Sequence, residues 1–336
     1  MIWHLLHGKP ERHCRAPPSA KEDERDEAGF LTLRRIETSL VNFFRIETRR
    51  ENAIMKRHLF LILGLIFGFA LTVLVRVGDT AQQGNKLLVP AVFQAAGPTA
   101  ESIEGIVDDF RAALGDPNNG NAAGPLATGR REINWDGGGG VDATTDPATP
   151  FNVFLNTRGG QFTTPGLGLS QAPPSGGPTN GLAGLFNNPT YATTFSTFSP
   201  LRLFAPVGSN ITEALFFVPG FNGAFPATVR GFGAIFTDVD EPNGIGPLGR
   251  RGNPRGASTL IEYFDENAKL IFSSFVPASP GNASLSFFGI VFDEAVIARV
   301  RITTGNAAPG PNDDTENDIV MMDDFIYGEP QPLSLK

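Results

Sequence analysis

Two adjacent aspartates near the end of the chain, Asp323 and Asp324, stand out by residue type and spacing as candidates for chemistry. They lie within the apolar run IVMMDDFIYG at 319–328, so a strand here would turn at least one carboxylate toward a core. A buried carboxylate without a partner is costly, and it needs a cation, an arginine or backbone N–H donors. The pair therefore predicts a structural Ca²⁺ site. The alternative is a salt bridge to Arg130 or Arg131, or an edge position in water.

Further oxygen side chains are candidate ligands for the same hard cation. Asn134 and Asp136 belong to a predicted opening strand and are candidate co-ligands of the aspartate pair. The turn that contains Asp238 and Asp240 has four oxygen side chains in six residues, but it lacks the spacing and final bidentate Glu of an EF-hand. The run NDDTEND at 312–318 is denser still. For both turns the competing interpretation is a solvated acidic loop.

Carbohydrate binding would use exposed aromatic rings beside amides and carboxylates, because sugars stack their C–H faces on rings. Trp135, flanked by Asn134 and Asp136, is the predicted platform, and Tyr263 is a second candidate. The competing interpretation of Trp135 is burial in the core.

Several chemistries are excluded because no His and no Cys occurs after residue 80. That part of the chain cannot contain a Ser-His-Asp triad, a Cys nucleophile, a His-ligated zinc or a disulfide. The net charge of −8 argues against nucleic acid as the main partner. The remaining enzymatic option is a glycoside hydrolase, which needs only two carboxylates; Glu262 and Asp238 on neighbouring strands are the candidates.

The elements that must position these residues are predicted to be β-strands. Short apolar or alternating segments, each bounded by Gly, Pro, Asn or Asp, recur from residue 191 onward. No helical pattern separates them, which predicts a mainly β fold, an antiparallel jelly roll or β-sandwich. The segments are 193–198, 213–218, 228–237, 259–264, 270–276, 285–292, 296–303 and 319–327, with briefer strands at 151–156 and around Phe162 and a flexible basic insertion at 244–256.

One short helix is predicted before the strands. In AESIEGIVDDFRAALG, the residues Ile103, Val107, Phe110 and Leu114 fall on one helical face, and Gly115 ends the pattern.

The N-terminal part is predicted to carry a targeting signal. Lys56 and Arg57 precede the uncharged run LFLILGLIFGFALTVLV at 59–75, which is typical of a secretory signal peptide or, if uncleaved, of a membrane anchor. Met55 stands where an initiator would stand. The 54 residues before it are therefore predicted to be an upstream extension of the reading frame, or else a disordered tail.

The predicted organisation follows from these features. An extension or tail covers 1–54, a signal or anchor 55–81, a linker with the short helix 82–128, the β-sandwich domain 129–330, and a tail 331–336.

Four phrases carry a resemblance to a known group of proteins. They are GRREINWDG at 129–137, GFGAIFTDVD at 231–240, IEYFDENAKL at 261–270 and MMDDFIYGEP at 321–330. As a set they resemble exported bacterial β-sandwich proteins, some of which carry PEP-CTERM sorting signals. The terminal strand with paired aspartates is also similar to that of jelly-roll carbohydrate-binding and adhesion modules. The resemblance implies export and a sandwich fold, and it implies no specific activity.

Together these features predict an exported, non-catalytic module that binds a glycan or another cell-surface component. It would be secreted or at the cell surface, with structural Ca²⁺ as the one candidate cofactor and the membrane contacted only through an uncleaved N-terminal segment. The alternatives are a carboxylate-based glycoside hydrolase and a structural protein of the cell envelope.

Overall fold

The computed structural model describes residues 88–137, 147–240, 259–311 and 317–333. The extension at 1–54, the signal at 55–81, the insertion at 244–256 and most of the acidic run at 312–318 lie outside the described residues.

The described ranges contain fourteen strands and four helices. The strands are β1 (Ala91–Gly97), β2 (Arg130–Ile133), β3 (Gly160–Thr163), β4 (Gly168–Ala172), β5 (Leu203–Val207), β6 (Ile211–Phe216), β7 (Ala227–Thr228), β8 (Gly231–Thr237), β9 (Leu260–Phe264), β10 (Leu270–Phe275), β11 (Leu285–Val291), β12 (Arg299–Thr303), β13 (Met321–Gly328) and β14 (Gln331–Pro332). The helices are α1 (Ala100–Leu114), α2 (Leu155–Arg158), α3 (Gly181–Leu185) and α4 (Tyr191–Thr194).

Two antiparallel sheets pack face to face, which confirms the predicted β-sandwich. The larger sheet has the order β1-β11-β8-β13-β5-β4, with β2 also paired to β13, and the smaller has the order β10-β9-β12-β6-β3. Strands β7 and β14 form a separate two-stranded pair. The main core lies between the sheets, where Phe232, Phe288 and Phe325 of the larger sheet join Phe216 and Tyr263 of the smaller one.

Strand β12 shows the predicted alternation. Val300 and Ile302 are fully buried, whereas Arg299 and Arg301 lie half-buried on the opposite face. Both arginines bond to Glu213 of β6, and Arg301 Nε lies 2.9 Å from its Oε1. The outer face of the smaller sheet is therefore lined by ion pairs between its own strands.

The larger sheet is covered on its outer face as well. The predicted helix is confirmed as α1, which buries Ile103, Val107, Phe110 and Leu114 against this sheet. Helices α3 and α4 cover another part of the same face. Because β8, β11 and β13 are buried on both sides, they lack the alternation of apolar and polar residues that β12 shows.

Two glycines make room for α1. Gly233 of β8 pairs with Gly289 of β11, and the Phe110 ring lies over both. A Cβ at either position would come within 2.8 Å of that ring. Phe110 also makes an edge contact with Phe287, with ring centroids 5.2 Å apart. The glycine pair thus forms the socket that lets a helix lie close to the sheet.

Two predictions of local structure are wrong. The strand predicted at 193–198 does not form: residues 191–194 make helix α4, whose Tyr191 packs into the cluster under this helix, and 195–198 are not a strand. Residues 155–158 form helix α2, and only Phe151 of the predicted strand pairs, with Phe162.

The predicted boundary at 129 is also corrected. Strand β1 pairs along its length with β11, and α1 packs on the same sheet, so one compact unit runs from Leu87 to Lys336. At the other end, β14 pairs with β7 where a tail was predicted. The segment expected to be a linker therefore supplies an edge strand and a core helix.

Candidate functional site

The aspartate pair lies at an irregularity of β13. The register between β13 and β8 shifts between Met322 and Phe325, which is the position of Asp323 and Asp324. Strict alternation would place the two side chains on opposite faces, but here both reach the Ser199 hydroxyl, which lies 2.6 Å from Asp324 Oδ1 and 3.3 Å from Asp323 Oδ1. The shift therefore brings the two carboxyl groups together.

The pair is surrounded by hydrogen-bond donors. The backbone N–H of Phe198 donates to Asp323 Oδ2 at 2.6 Å, and the Trp135 indole N–H donates to the Asp323 carbonyl at 2.8 Å. The guanidinium of Arg111, on α1, lies 3.8 Å from Asp324 Oδ2.

The arginines named as alternative partners are engaged elsewhere, which corrects that prediction. Arg130 pairs with Asp116 and Glu132, and Arg131 pairs with Glu329.

The predicted co-ligands lie next to the pair. Asp136 Oδ1 accepts the backbone N–H of Arg202 at 3.0 Å, and its Oδ2 accepts the Asn134 amide at 3.2 Å. The Asn134 carbonyl lies 3.4 Å from the Ser199 hydroxyl, which links this group to the aspartate pair. Residues almost two hundred positions apart in the sequence therefore lie in one cluster.

Burial controls the protonation of this cluster. Burial, and then the neighbouring Asp324 charge, raise the pKa of Asp323 well above its usual value. Burial also raises the pKa of Asp324, opposed by hydrogen bonds from Ser199 and Asp323 and by the charge of Arg111. The pKa of Asp136 is raised by burial, against the N–H bond from Arg202. The cluster therefore favours carboxyl groups that hold their protons.

These bonds bear on the predicted calcium site. Each carboxylate oxygen of the pair faces an N–H, a hydroxyl or the Arg111 guanidinium, so a cation would have to displace these donors. Among the described residues, no group of three or more His, Cys, Asp or Glu side chains has an arrangement that could hold a metal ion. The calcium site stays a prediction.

The second predicted metal group is separate from the first. Asp238 is buried after β8, with a φ of 69°, and its N–H donates to the Ser284 carbonyl at 3.1 Å. Asp240 Oδ1 accepts the N–H of Gly281 at 2.7 Å. Both residues therefore fasten this turn to the segment before β11.

The two predicted sugar platforms are both in the core, which corrects that prediction. Trp135 has no exposed surface and stacks on Phe204, with ring centroids 3.7 Å apart. Tyr263 is also fully buried, and its hydroxyl donates to the Phe232 carbonyl at 3.2 Å. Neither ring offers a face on which a sugar could stack.

The exposed aromatic rings are two phenylalanines on another segment. Phe221 is 45% exposed and Phe225 is 51% exposed, and the other large hydrophobics that are exposed in the described ranges are aliphatic. Their rings meet edge to face, with centroids 5.1 Å apart. They lie in the segment 219–225, here called the aromatic loop, which leads from β6 to β7.

Sequence reasoning missed this loop because it considered Trp and Tyr as platforms. The available signal was the sequence PGFNGAF, in which Pro219–Gly220 and Asn222–Gly223 are both turn dipeptides. Consecutive turns leave no room for a strand here, so neither Phe221 nor Phe225 is buried in a sheet.

The aromatic loop is held by backbone hydrogen bonds at its base. Val218 N–H donates to the Phe225 carbonyl at 2.9 Å, and Ala224 N–H donates to the Phe221 carbonyl at 3.0 Å. Gly124 N–H donates to the Pro219 carbonyl at 2.9 Å. The two rings are therefore presented on a fixed backbone.

Amide side chains border the rings. The exposed Asn156 accepts twice from the loop, through its carbonyl from Gly220 N–H at 2.7 Å and through Oδ1 from Asn222 N–H at 3.1 Å. Asn222 is itself exposed at the tip. Apolar rings and amides thus share one surface.

A separate cavity of about 500 Å³ lies between the β9–β10 turn and β14. Asp265, Glu266 and Glu294 line it together with Leu88 and Leu333, and the described residues that line it include no aromatic or basic side chain. Asp265 Oδ1 accepts two backbone N–H groups of its own turn, so this carboxylate closes the hairpin.

The predicted hydrolase pair is not assembled. Glu262 lies on β9 in the smaller sheet, opposite Arg301, whereas Asp238 follows β8 in the larger sheet. The prediction that they lie on neighbouring strands is wrong, because the chain changes sheets between β8 and β9.

None of the helices in the described ranges is both long and apolar enough to cross a membrane. Comparison with protein-family models, with curated proteins and with solved structures finds no match.

Proposed function

We propose that this chain is an exported, non-catalytic β-sandwich module that binds glycans or adheres to them, and that the aromatic loop is its contact surface. The observation that carries the proposal is the pair of half-exposed rings, Phe221 and Phe225, bordered by exposed amides. Sugars pack their C–H faces on aromatic rings while their hydroxyls bond to amides.

Two further features support the proposal. The aromatic loop is fixed by its hydrogen bonds, so binding would cost little ordering of the backbone. The sequence LFLILGLIFGFALTVLV after Lys56 and Arg57 is typical of an export signal, which would bring the module to the compartment where surface glycans are.

A glycan array screened with the full chain tests the proposal. We expect the wild-type chain to be retained by at least one glycan and the variant carrying both Phe221→Ala and Phe225→Ala to lose that retention. Leu167→Ala is the matched control, because Leu167 is a 77% exposed hydrophobic in the turn between β3 and β4. Thermal melting should show that all three chains fold, since surface substitutions change stability by about 0.5 kcal/mol or less.

Two results would contradict the proposal. One is retention by no glycan, or equal retention of the wild-type chain and the double variant. The other is adsorption to phosphatidylcholine vesicles that depends on both phenylalanines, which would make the aromatic loop a lipid contact.

A further inference from the structure

The relative orientation of the two exposed rings restricts the kind of glycan surface that they fit. The planes of Phe221 and Phe225 are inclined by 80°, so they form a corner rather than a flat strip. A sugar ring stacks with its C–H face parallel to the aromatic plane. Two perpendicular rings cannot both lie flat on one planar surface, such as the face of a crystalline polysaccharide.

We infer that the aromatic loop binds a single, uncharged glycan chain in solution, one sugar residue of which fits the corner between the two rings. This inference rests on the proposed function and adds the class of ligand. A chain end or a branch can present one C–H face to one ring and an edge to the other. A sheet of parallel chains can meet only one ring at a time.

The charge of the surface points to an uncharged ligand. Residues 219–226 carry no charged side chain, and neither do Asn152, Val153 or Asn156. The nearby Arg158 is engaged elsewhere, because its guanidinium lies 5.5 Å from the centre of the Phe154 ring and its Nε donates to Asn121 Oδ1 at 3.1 Å. Of the residues named here only Arg158 could offset the loss of an acidic sugar's water shell, and that side chain is already held by Phe154 and Asn121.

The fixed backbone keeps the corner in place. Gly220, Asn222 and Gly223 have φ values of 92°, 49° and 81°, a region that glycine and asparagine adopt readily. Asn156 holds this arrangement from outside the loop, because its backbone carbonyl accepts Gly220 N–H and its side-chain Oδ1 accepts Asn222 N–H. The backbone from which the two rings project is therefore set before any ligand binds.

Three kinds of probe test the inference on the full chain. They are soluble neutral oligosaccharides of the gluco-, manno- and chito- series in titration calorimetry, oligogalacturonate as an acidic oligosaccharide, and microcrystalline cellulose and chitin in sedimentation assays. We expect binding to at least one soluble neutral series, and at least tenfold weaker binding by Phe221→Ala and by Phe225→Ala alone. Leu167→Ala should bind like the wild-type chain.

The outcomes separate this inference from the proposed function. Sedimentation with cellulose or chitin without binding to any soluble oligosaccharide would overturn the single-chain inference and leave glycan binding intact. Tighter binding to oligogalacturonate than to the neutral series would overturn the inference of an uncharged ligand. Binding to none of the probes, together with an empty glycan array, would overturn the proposed function itself.

Discussion

Arg131 and Glu329 form a buried ion pair at the edge of the sandwich. Arg131 Nε lies 2.6 Å from Glu329 Oε2, and its second terminal nitrogen lies 2.7 Å from Oε1. The remaining nitrogen of Arg131 donates to the carbonyls of Gly120 and Ala122 at 2.7 Å each. The pair therefore fastens the segment after α1 to the end of β13.

Removing one partner of this pair should be strongly destabilising. Glu329→Ala leaves the Arg131 charge buried without compensation, and we expect the free energy of unfolding to fall by about 3–5 kcal/mol in chemical denaturation. Asp108→Ala is the control, because Asp108 is 62% exposed and its bond to Arg111 should contribute about 1 kcal/mol or less. The double variant Arg131→Met/Glu329→Leu should lose less stability than Glu329→Ala. A loss below that of Asp108→Ala would show that the pair is not structurally important.

Substituting a glycine under α1 and a glycine on its exposed side should change the free energy of unfolding in opposite directions. In Gly233→Ala the new Cβ would lie 2.8 Å from the Phe110 ring, and we expect a loss of about 1–3 kcal/mol from overpacking. Gly105→Ala, on the exposed side of α1, meets nothing within 4 Å and should stabilise the protein by about 0.5–1 kcal/mol. Thermal melting measures both. Equal effects of the two variants would argue against the socket.

The raised pKa of Asp323 predicts a pH dependence of stability. Because the folded state holds this proton to a higher pH than the unfolded state, the free energy of unfolding should fall as the pH rises above about 4. Asp323→Asn keeps an oxygen acceptor for Phe198 N–H and cannot ionise, so it should be more stable than the wild type at pH 7 and flatten the profile. Asp109→Asn, at an exposed position of α1, is the control. Identical profiles for the wild type and Asp323→Asn would refute this account.

Calcium removal tests the predicted metal site directly. Since N–H and hydroxyl donors already face the carboxyl oxygens of Asp323 and Asp324, we expect the melting midpoint to be the same in calcium chloride and in chelator. A midpoint that rises with calcium in the wild type and not in Asp324→Asn would instead support the calcium site.

The sequence was sufficient for the fold class because strand periodicity reports burial. In β12 the alternation of valine and isoleucine with arginine predicted which side chains face the core. The same reasoning failed for the strand predicted at 193–198, where the side chains suit a strand but residues 191–194 form a helical turn. It also treated β1 as a linker, because its pairing with β11 joins segments almost two hundred residues apart and no local signal reports it.

The candidate site was predicted in part. The grouping of Asp136 with Asp323 and Asp324 followed from assigning both segments to strands. The register shift that turns both carboxyl groups to Ser199 could not be predicted, because it depends on the pairing of β13 with β8. For Trp135 the competing interpretation, burial in the core, is the correct one, because aromatic type alone does not distinguish a core ring from an exposed one.

Gly124 lies between the ion pair and the aromatic loop. A Cβ there would come within 2.7 Å of Glu329 Oε1 and 2.9 Å of Pro219 Cδ, so no larger residue fits without movement of one neighbour. The position of the aromatic loop therefore depends, through Gly124, on the Arg131–Glu329 ion pair. A screen for variants that lose glycan binding should therefore recover substitutions of Gly124 and Glu329 as well as of Phe221 and Phe225. Substitutions of Gly124 and Glu329 would change no side chain of the aromatic loop itself.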